Sequence, residues 1–152
     1  MSEVNIFEAE LAVDEGDPEA FAEVGYARLG PLVGASKLGM TIYELPPGKS
    51  NCPYHFELGD EEWLIVLSGQ LTVRTPEGEM ELGPWDTVCF PVGEAGAHRL
   101  TNRSEEPVRL AMLSTKNEPA VSIYPDSNKV GVWPPGKLFR LDDAVDYWEG
   151  ER

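Results

Sequence analysis

The chain has only two histidines, His55 and His98, and both stand within reach of carboxylates. His55 and Glu57 are two residues apart, so on an extended strand their side chains leave the same face. Glu62 follows after the acidic connection Gly59-Asp60-Glu61, and His98 comes later, beyond Pro91-Val92-Gly93. Two imidazoles and one or two carboxylates converging from neighbouring strands make a site for a divalent transition metal. Iron, manganese, nickel or zinc suits the mixed nitrogen and oxygen set, and copper(I) is disfavoured. Glu57 has three readings at this point: a fourth ligand, an acceptor that orients a histidine, or a solvent-facing strand residue. As ligand or as general base it is also the candidate catalytic group. With both carboxylates bound, the charges around a divalent ion sum to zero, which weakens the attraction for anions.

Glu62 is the most informative acid. On a strand running from Glu62 to Leu67, Glu62, Leu64 and Val66 share one face and Trp63, Ile65 and Leu67 the other. Both faces are otherwise apolar, so the strand is expected to be covered on both sides. A lone carboxylate on a buried face is costly unless it is paired or binds a metal. Glu61 falls on the opposite face. Cys52, three residues before His55, is within reach of the site, but an inert buried thiol is the simpler reading. Asn102 reads as structural, and Met40, Met112 and Phe90 as core or pocket lining. Asn102-Arg103-Ser104 is a glycosylation sequon by letters alone.

Positioning these residues requires a β-rich frame. Short runs of β-branched and aromatic residues recur between Gly, Pro, Asn and Asp clusters. They predict strands at Leu38–Leu45, Tyr54–Glu57, Glu62–Leu67, Leu71–Thr75, Glu79–Leu82, Thr87–Pro91, His98–Asn102 and Val108–Ser114. Turns are readable at Leu45-Pro46-Pro47-Gly48, Ser68-Gly69-Gln70, Pro76-Glu77-Gly78 and Gly83-Pro84-Trp85-Asp86. The pattern is that of an all-β sandwich or barrel. A short helix is expected at Pro18–Glu23 with Asp17 as N-cap, and one or two helical turns around Asp142–Trp148.

The stretch Pro47 to Gly69, PGKSNCPYHFELGDEEWLIVLSG, resembles the first cupin motif, with His55, Glu62 and Gly69 on the motif positions. Trp85 to Asn102, WDTVCFPVGEAGAHRLTN, resembles the second, with Pro91, Gly93, His98 and Asn102 matching. The resemblance spans Gly48 to Asn102 and implies a double-stranded β-helix barrel of the cupin (jelly-roll) type. It implies a barrel core at about residues 37–115, with an N-terminal arm at 1–36 and a C-terminal arm at 116–152, in one domain. It also implies metal ligands at His55, Glu62 and His98, a reaction such as dioxygenation, isomerisation or decarboxylation of a small polar organic molecule, and pairing of barrels as a homodimer. The chain departs from the pattern at Glu57, where the family has its second histidine, and at Trp85, where it has glycine. One extra residue precedes His55 and two extend the segment between Gly93 and His98. A ligand-binding module without catalysis and a homodimeric interaction protein are the other function classes, the latter resting on Trp63, Trp133, Tyr147 and Trp148 as anchors.

Composition narrows the partners. The 152 residues carry a formal net charge of −15, which repels phosphate backbones and anionic lipid, so nucleic acid and membrane surfaces are poor partners. No apolar run approaches the roughly 18 to 20 residues of a membrane span, and the acidic start lacks a signal-peptide pattern, so a cytoplasmic protein is expected. Two cysteines are too few for a disulfide framework and are expected as free thiols. The outer face of Trp63, Ile65 and Leu67 asks for cover, from a second copy or from an arm.

Overall fold

The computed structural model describes residues 2–152. Its strands are β1 (Ala12–Val13), β2 (Gly25–Arg28), β3 (Leu38–Leu45), β4 (Phe56–Glu57), β5 (Glu62–Ser68), β6 (Leu71–Thr75), β7 (Gly78–Leu82), β8 (Thr87–Phe90), β9 (Arg99–Thr101), β10 (Val108–Thr115), β11 (Ala120–Tyr124), β12 (Lys129–Trp133) and β13 (Lys137–Arg140). Short 3-10 turns are the only helical pieces among the described residues, so no helix there is long and apolar enough to cross a membrane. The strands form three antiparallel sheets. One has the order β1-β2-β3-β10-β5-β8, the second β13-β12-β11-β4 and the third β7-β6-β9.

All eight expected strands form, with β3 and β6 at the expected bounds. Tyr54–Glu57 shrinks to Phe56–Glu57, and His98–Asn102 to Arg99–Thr101. Pro53 has no N–H to offer a ladder, and His55 is held instead by an isolated antiparallel bridge to His98. The expected helix at Pro18–Glu23 is a single turn: the N–H groups of Phe21 and Ala22 both reach the Pro18 carbonyl, and Glu23 at φ 64° ends it. One turn has too few bonds to propagate. Near the C-terminus the helical expectation is reduced to a 3-10 turn at Leu141–Asp143. Both terminal segments add strands the sequence reading left out. Strand β2 extends the large sheet beyond β3, and β11 to β13 build a sheet on β4.

The interior is aliphatic away from the site. Leu45, Leu64, Val66, Leu71, Val73, Leu100, Val108 and Leu110 form one buried cluster, each stabilising the fold by about 1.5–3 kcal/mol. The other face of β5 is also covered, as its pattern requires. Ile65 and Leu67 pack with Ile42 and Ala111 beneath Val4, Ile6, Ala9 and Leu11 from the N-terminal segment. That segment supplies the cover, leaving Trp63 44% exposed. Gly69 closes β5 at φ 83°, where a Cβ would stand 2.8 Å from the Pro107 carbonyl oxygen. Asn102 is fully buried: its amide donates to the Leu45 and Glu106 carbonyls, and its oxygen accepts from Ser104. This is the structural role expected of it, and it removes the sequon as a modification site.

Candidate metal centre

Three of the four expected ligands meet. One ligand atom each from His55, Glu62 and His98 lies within 4.8 Å of the other two. Glu62 Oε2 is 3.7 Å from His55 Nε2 and 3.6 Å from His98 Nε2. The frame explains the convergence. Glu62 opens β5 on the same face as buried Leu64 and Val66, and the His55–His98 bridge sets the two rings 4.7 Å apart.

Both imidazoles are fixed through their far nitrogen. His55 Nδ1 stands 3.0 Å from the Pro53 carbonyl oxygen and His98 Nδ1 2.9 Å from that of Gly96. A carbonyl only accepts, so each Nδ1 carries the proton and each Nε2 presents a lone pair to Glu62. Phe90 stacks on the His98 ring at 3.8 Å, and Tyr124 lies against His55 at 5.9 Å. Gly96 belongs to the segment lengthened relative to the family pattern. Its missing Cβ is required, because one would collide with the Pro91 carbonyl. The extra residues thus form the tight turn that holds His98.

A divalent metal fits this donor set. His98 Nε2 is buried with no hydrogen-bond partner, an arrangement that costs free energy as it stands. Ligands about 2.1 Å from one ion lie roughly 3 to 3.5 Å apart, so spacings of 3.6 and 3.7 Å need only a small contraction. The charges show the same mismatch. Burial, with Glu57 and Asp60 behind it, pushes the Glu62 carboxyl up to about 8. Burial and the neighbouring His55 push His98 down to about 3. A dication would stabilise carboxylate and neutral imidazole together.

Glu57 stands beside the triad. Its Oε1 is 3.7 Å from His55 Nε2 and accepts a 2.7 Å hydrogen bond from the Ser122 hydroxyl on β11. Burial raises its carboxyl above the ordinary range, with Ser122 opposing. Ser122 and Tyr124 were missed by sequence reasoning. Their signal is the two-residue alternation of Ala120-Val121-Ser122-Ile123-Tyr124, which puts both on one face. Tyr43 was missed as well: burial first, then Cys52 and Glu62, push its hydroxyl up to about 12, while Arg28 pulls it down. Cys52 Sγ is 3.6 Å from His55 Nδ1, and desolvation raises its thiol, which keeps it protonated and unreactive. Both cysteines are free, as expected. Glu61 is exposed, Met112 packs in the barrel and Met40 lies on the outer face.

Residues 41–114 match the sequence family described as the cupin domain. This stretch reads as a cupin domain, and the fold is that of a cupin barrel. No curated protein matches the chain in sequence. Among solved structures it is similar to a sugar phosphate isomerase of the cupin superfamily from Silicibacter pomeroyi, at 22% identity and TM-score 0.84, over 97% of this chain and 98% of the other. It is also similar to a candidate sugar phosphate isomerase from Acidithiobacillus ferrooxidans, at 27% identity and TM-score 0.78, over 91% and 88%. A third similarity is to the polyketide cyclase RemF from Streptomyces resistomycificus, at 23% identity and TM-score 0.64, over 79% and 83%. The near full-length overlaps extend through both terminal segments, so the added strands belong to a shared architecture.

Proposed function

We propose that this cupin is a metal-dependent enzyme of the isomerase type, acting on a small sugar phosphate or a similar polyhydroxylated anion. The observation that carries the metal is the buried, partnerless Nε2 of His98 facing Glu62 and the lone pair of His55. His55, Glu62 and His98 would hold a divalent iron, manganese, nickel or zinc ion. When bound, such an ion supplies a positive charge that polarises a substrate oxygen.

The remaining chemistry falls to the chain. Interconverting an aldose and a ketose moves one proton between adjacent carbons and another between their oxygens. That requires a base able to take a carbon-bound proton and return it. Glu57 meets this need, being half-buried, tethered by Ser122 and raised above the ordinary carboxylate range by burial. Phe90 and Tyr124 border the histidines and help exclude water. The similarity to the Acidithiobacillus protein, a candidate sugar phosphate isomerase, favours isomerisation over dioxygenation or decarboxylation.

The test is metal analysis of tag-free protein purified without chelator, followed by assay of aldose and ketose phosphates. Stoichiometric metal lost in His98→Ala, with isomerase turnover lost in the same variant, is the expected result. Protein that takes up no metal on reconstitution ends the enzymatic reading and leaves the ligand-binding one. Homodimer formation now rests on the smaller patch of Trp63 and Leu38, and light scattering at the monomer mass across micromolar concentrations would exclude it.

A further inference from the structure

The register of the large sheet carries the inner face of the barrel away from Glu62. Glu62 on β5 faces Ser114 on β10, and Ser114 faces Gly39 on β3. In the next row Leu64 faces Met112, Met112 faces Thr41, and Thr41 faces Arg28 on β2. Directly opposed residues share a face of the sheet. Ser114, Gly39, Thr41 and Arg28 therefore lie on the face that carries Glu62.

Deeper in the barrel this face is apolar, with Val66 and Leu110 fully buried. At this end it opens into a cavity of about 280 Å³ whose walls include Arg28, Gly39, Thr41, Ser114 and Lys116. Gly39 keeps it open, since a Cβ there would come within 2.9 Å of Ser114 Oγ and 3.8 Å of the Lys116 stem. In a chain of net charge −15, two cations share this cavity, and neither pairs with a carboxylate among the described residues. The close pairs of lysine or arginine with a carboxylate lie elsewhere, at Lys49–Glu19, Arg74–Asp126, Arg103–Glu79 and Arg109–Glu44.

We propose that Arg28 and Lys116, with the hydroxyls of Thr41 and Ser114, bind the phosphoryl group of the substrate while its other end faces Glu62. The assignment rests on the isomerase reading and names the part of the site that recognises the anion. Two full positive charges and two hydroxyl donors match a phosphate monoester, which carries close to two negative charges at neutral pH. A carboxylate would use half of that set. Two inter-strand steps separate Glu62 from Gly39, roughly 10 Å, a span that accommodates a sugar-sized molecule. The arrangement also answers a difficulty posed by the metal centre. With two carboxylates beside it a bound dication is neutral, so the attraction for an anionic substrate has to come from elsewhere.

The experiment titrates inorganic phosphate into full-length, metal-stripped protein by calorimetry, so that no metal–phosphate contact contributes. Wild type is expected to bind phosphate saturably, and Arg28→Gln and Lys116→Gln each to weaken it about tenfold, as loss of one charge-assisted contact does. The double variant should abolish binding. Lys137→Gln, on the exposed strand β13, should leave it unchanged. His98→Ala should still bind phosphate, which separates failure of this subsite from failure of the metal reading. Absence of saturable binding in wild type, or undiminished binding in the double variant, overturns the proposal. Acetate bound as tightly as phosphate overturns the phosphoryl assignment.

Discussion

Glu62 and Glu57 are five residues apart and both approach His55, yet different parts of the molecule hold them. Glu62 begins a seven-residue strand in the large sheet, flanked by β10 and β8 and anchored by fully buried Leu64 and Val66. Glu57 ends a two-residue strand whose only strand partner is β11, from the C-terminal segment. Its side chain is positioned by Ser122, which lies 65 residues further along the chain. The barrel itself therefore places the carboxylate of the triad, and the added sheet places the second one. This division suggests that binding strength resides in the barrel and adjustment of reactivity in the segment packed against it.

The largest expected effect lies on the barrel side. His98→Ala removes the one buried ligand atom that has no other partner, and should lower metal affinity by at least about a hundredfold, more than loss of an outer-sphere partner costs. Competition with a chromogenic chelator measures it, with circular dichroism confirming the fold. Retained affinity would show that the triad is not the binding site.

The pH dependence comes next and also belongs to Glu62. With its folded value raised to about 8, metal-free protein holds a proton there through the range in which the unfolded chain has lost it. Stability of the metal-free form should therefore fall as pH rises from about 6.5 to about 8, where Glu62 holds a proton only in the folded state. Metal must displace that proton, so apparent affinity should rise about tenfold per pH unit up to about 8 and then level off. His98, pushed down to about 3, is proton-free in the fold and adds no slope to metal binding. Its unfolded form takes a proton below about 6.5, so in stability it opposes Glu62 there. Proton release measured alongside metal uptake checks the sign: no released proton near pH 6 would mean that Glu62 is already ionised.

How much of this was legible in the sequence follows the same division. The period-two pattern of Glu62, Leu64 and Val66 and the spacing to Gly69 located the barrel strand and its carboxylate, because local alternation and a positive-φ glycine are written in consecutive residues. His55 and His98 were found through motif order, though their pairing by an isolated bridge was not. Ser122, Tyr124 and Arg28 were missed because their roles depend on β11 and β2, whose pairings join distant parts of the chain. The cover over Ile65 and Leu67 was similarly hidden, since Val4, Ile6, Ala9 and Leu11 follow no strand or helix period.

Glu57→Gln separates the two carboxylates directly. Glu57 approaches His55 without joining the triad, so metal affinity should change by less than about threefold while isomerase turnover falls by roughly 10² to 10⁴, the usual worth of a general base. Metal content and turnover measured on the same preparation decide between base and ligand. Equal losses in both would make Glu57 a fourth ligand.

The smallest expected effect tests the tether itself. Ser122 donates to the Glu57 oxygen that faces His55, at 2.7 Å, and this bond competes with any approach of that oxygen to a metal held by the triad. In Ser122→Ala the carboxylate loses its tether and is free to swing inward as an additional ligand. Metal affinity should then rise by a few-fold, about 1 kcal/mol, the net worth of one hydrogen bond. Turnover should fall, because the base is drawn onto the metal. Ser122→Thr keeps the hydroxyl and should restore both values. The decisive comparison is the double variant Ser122→Ala/Glu57→Gln, since the gain in affinity requires the carboxylate and should vanish without it. Cobalt(II) absorption reports the same event independently, because a new oxygen ligand changes the band intensity in Ser122→Ala and leaves the double variant like wild type. If Ser122→Ala binds metal as wild type does and its cobalt spectrum is unchanged, Glu57 is held in place by the barrel as firmly as Glu62, and the division between the two carboxylates fails.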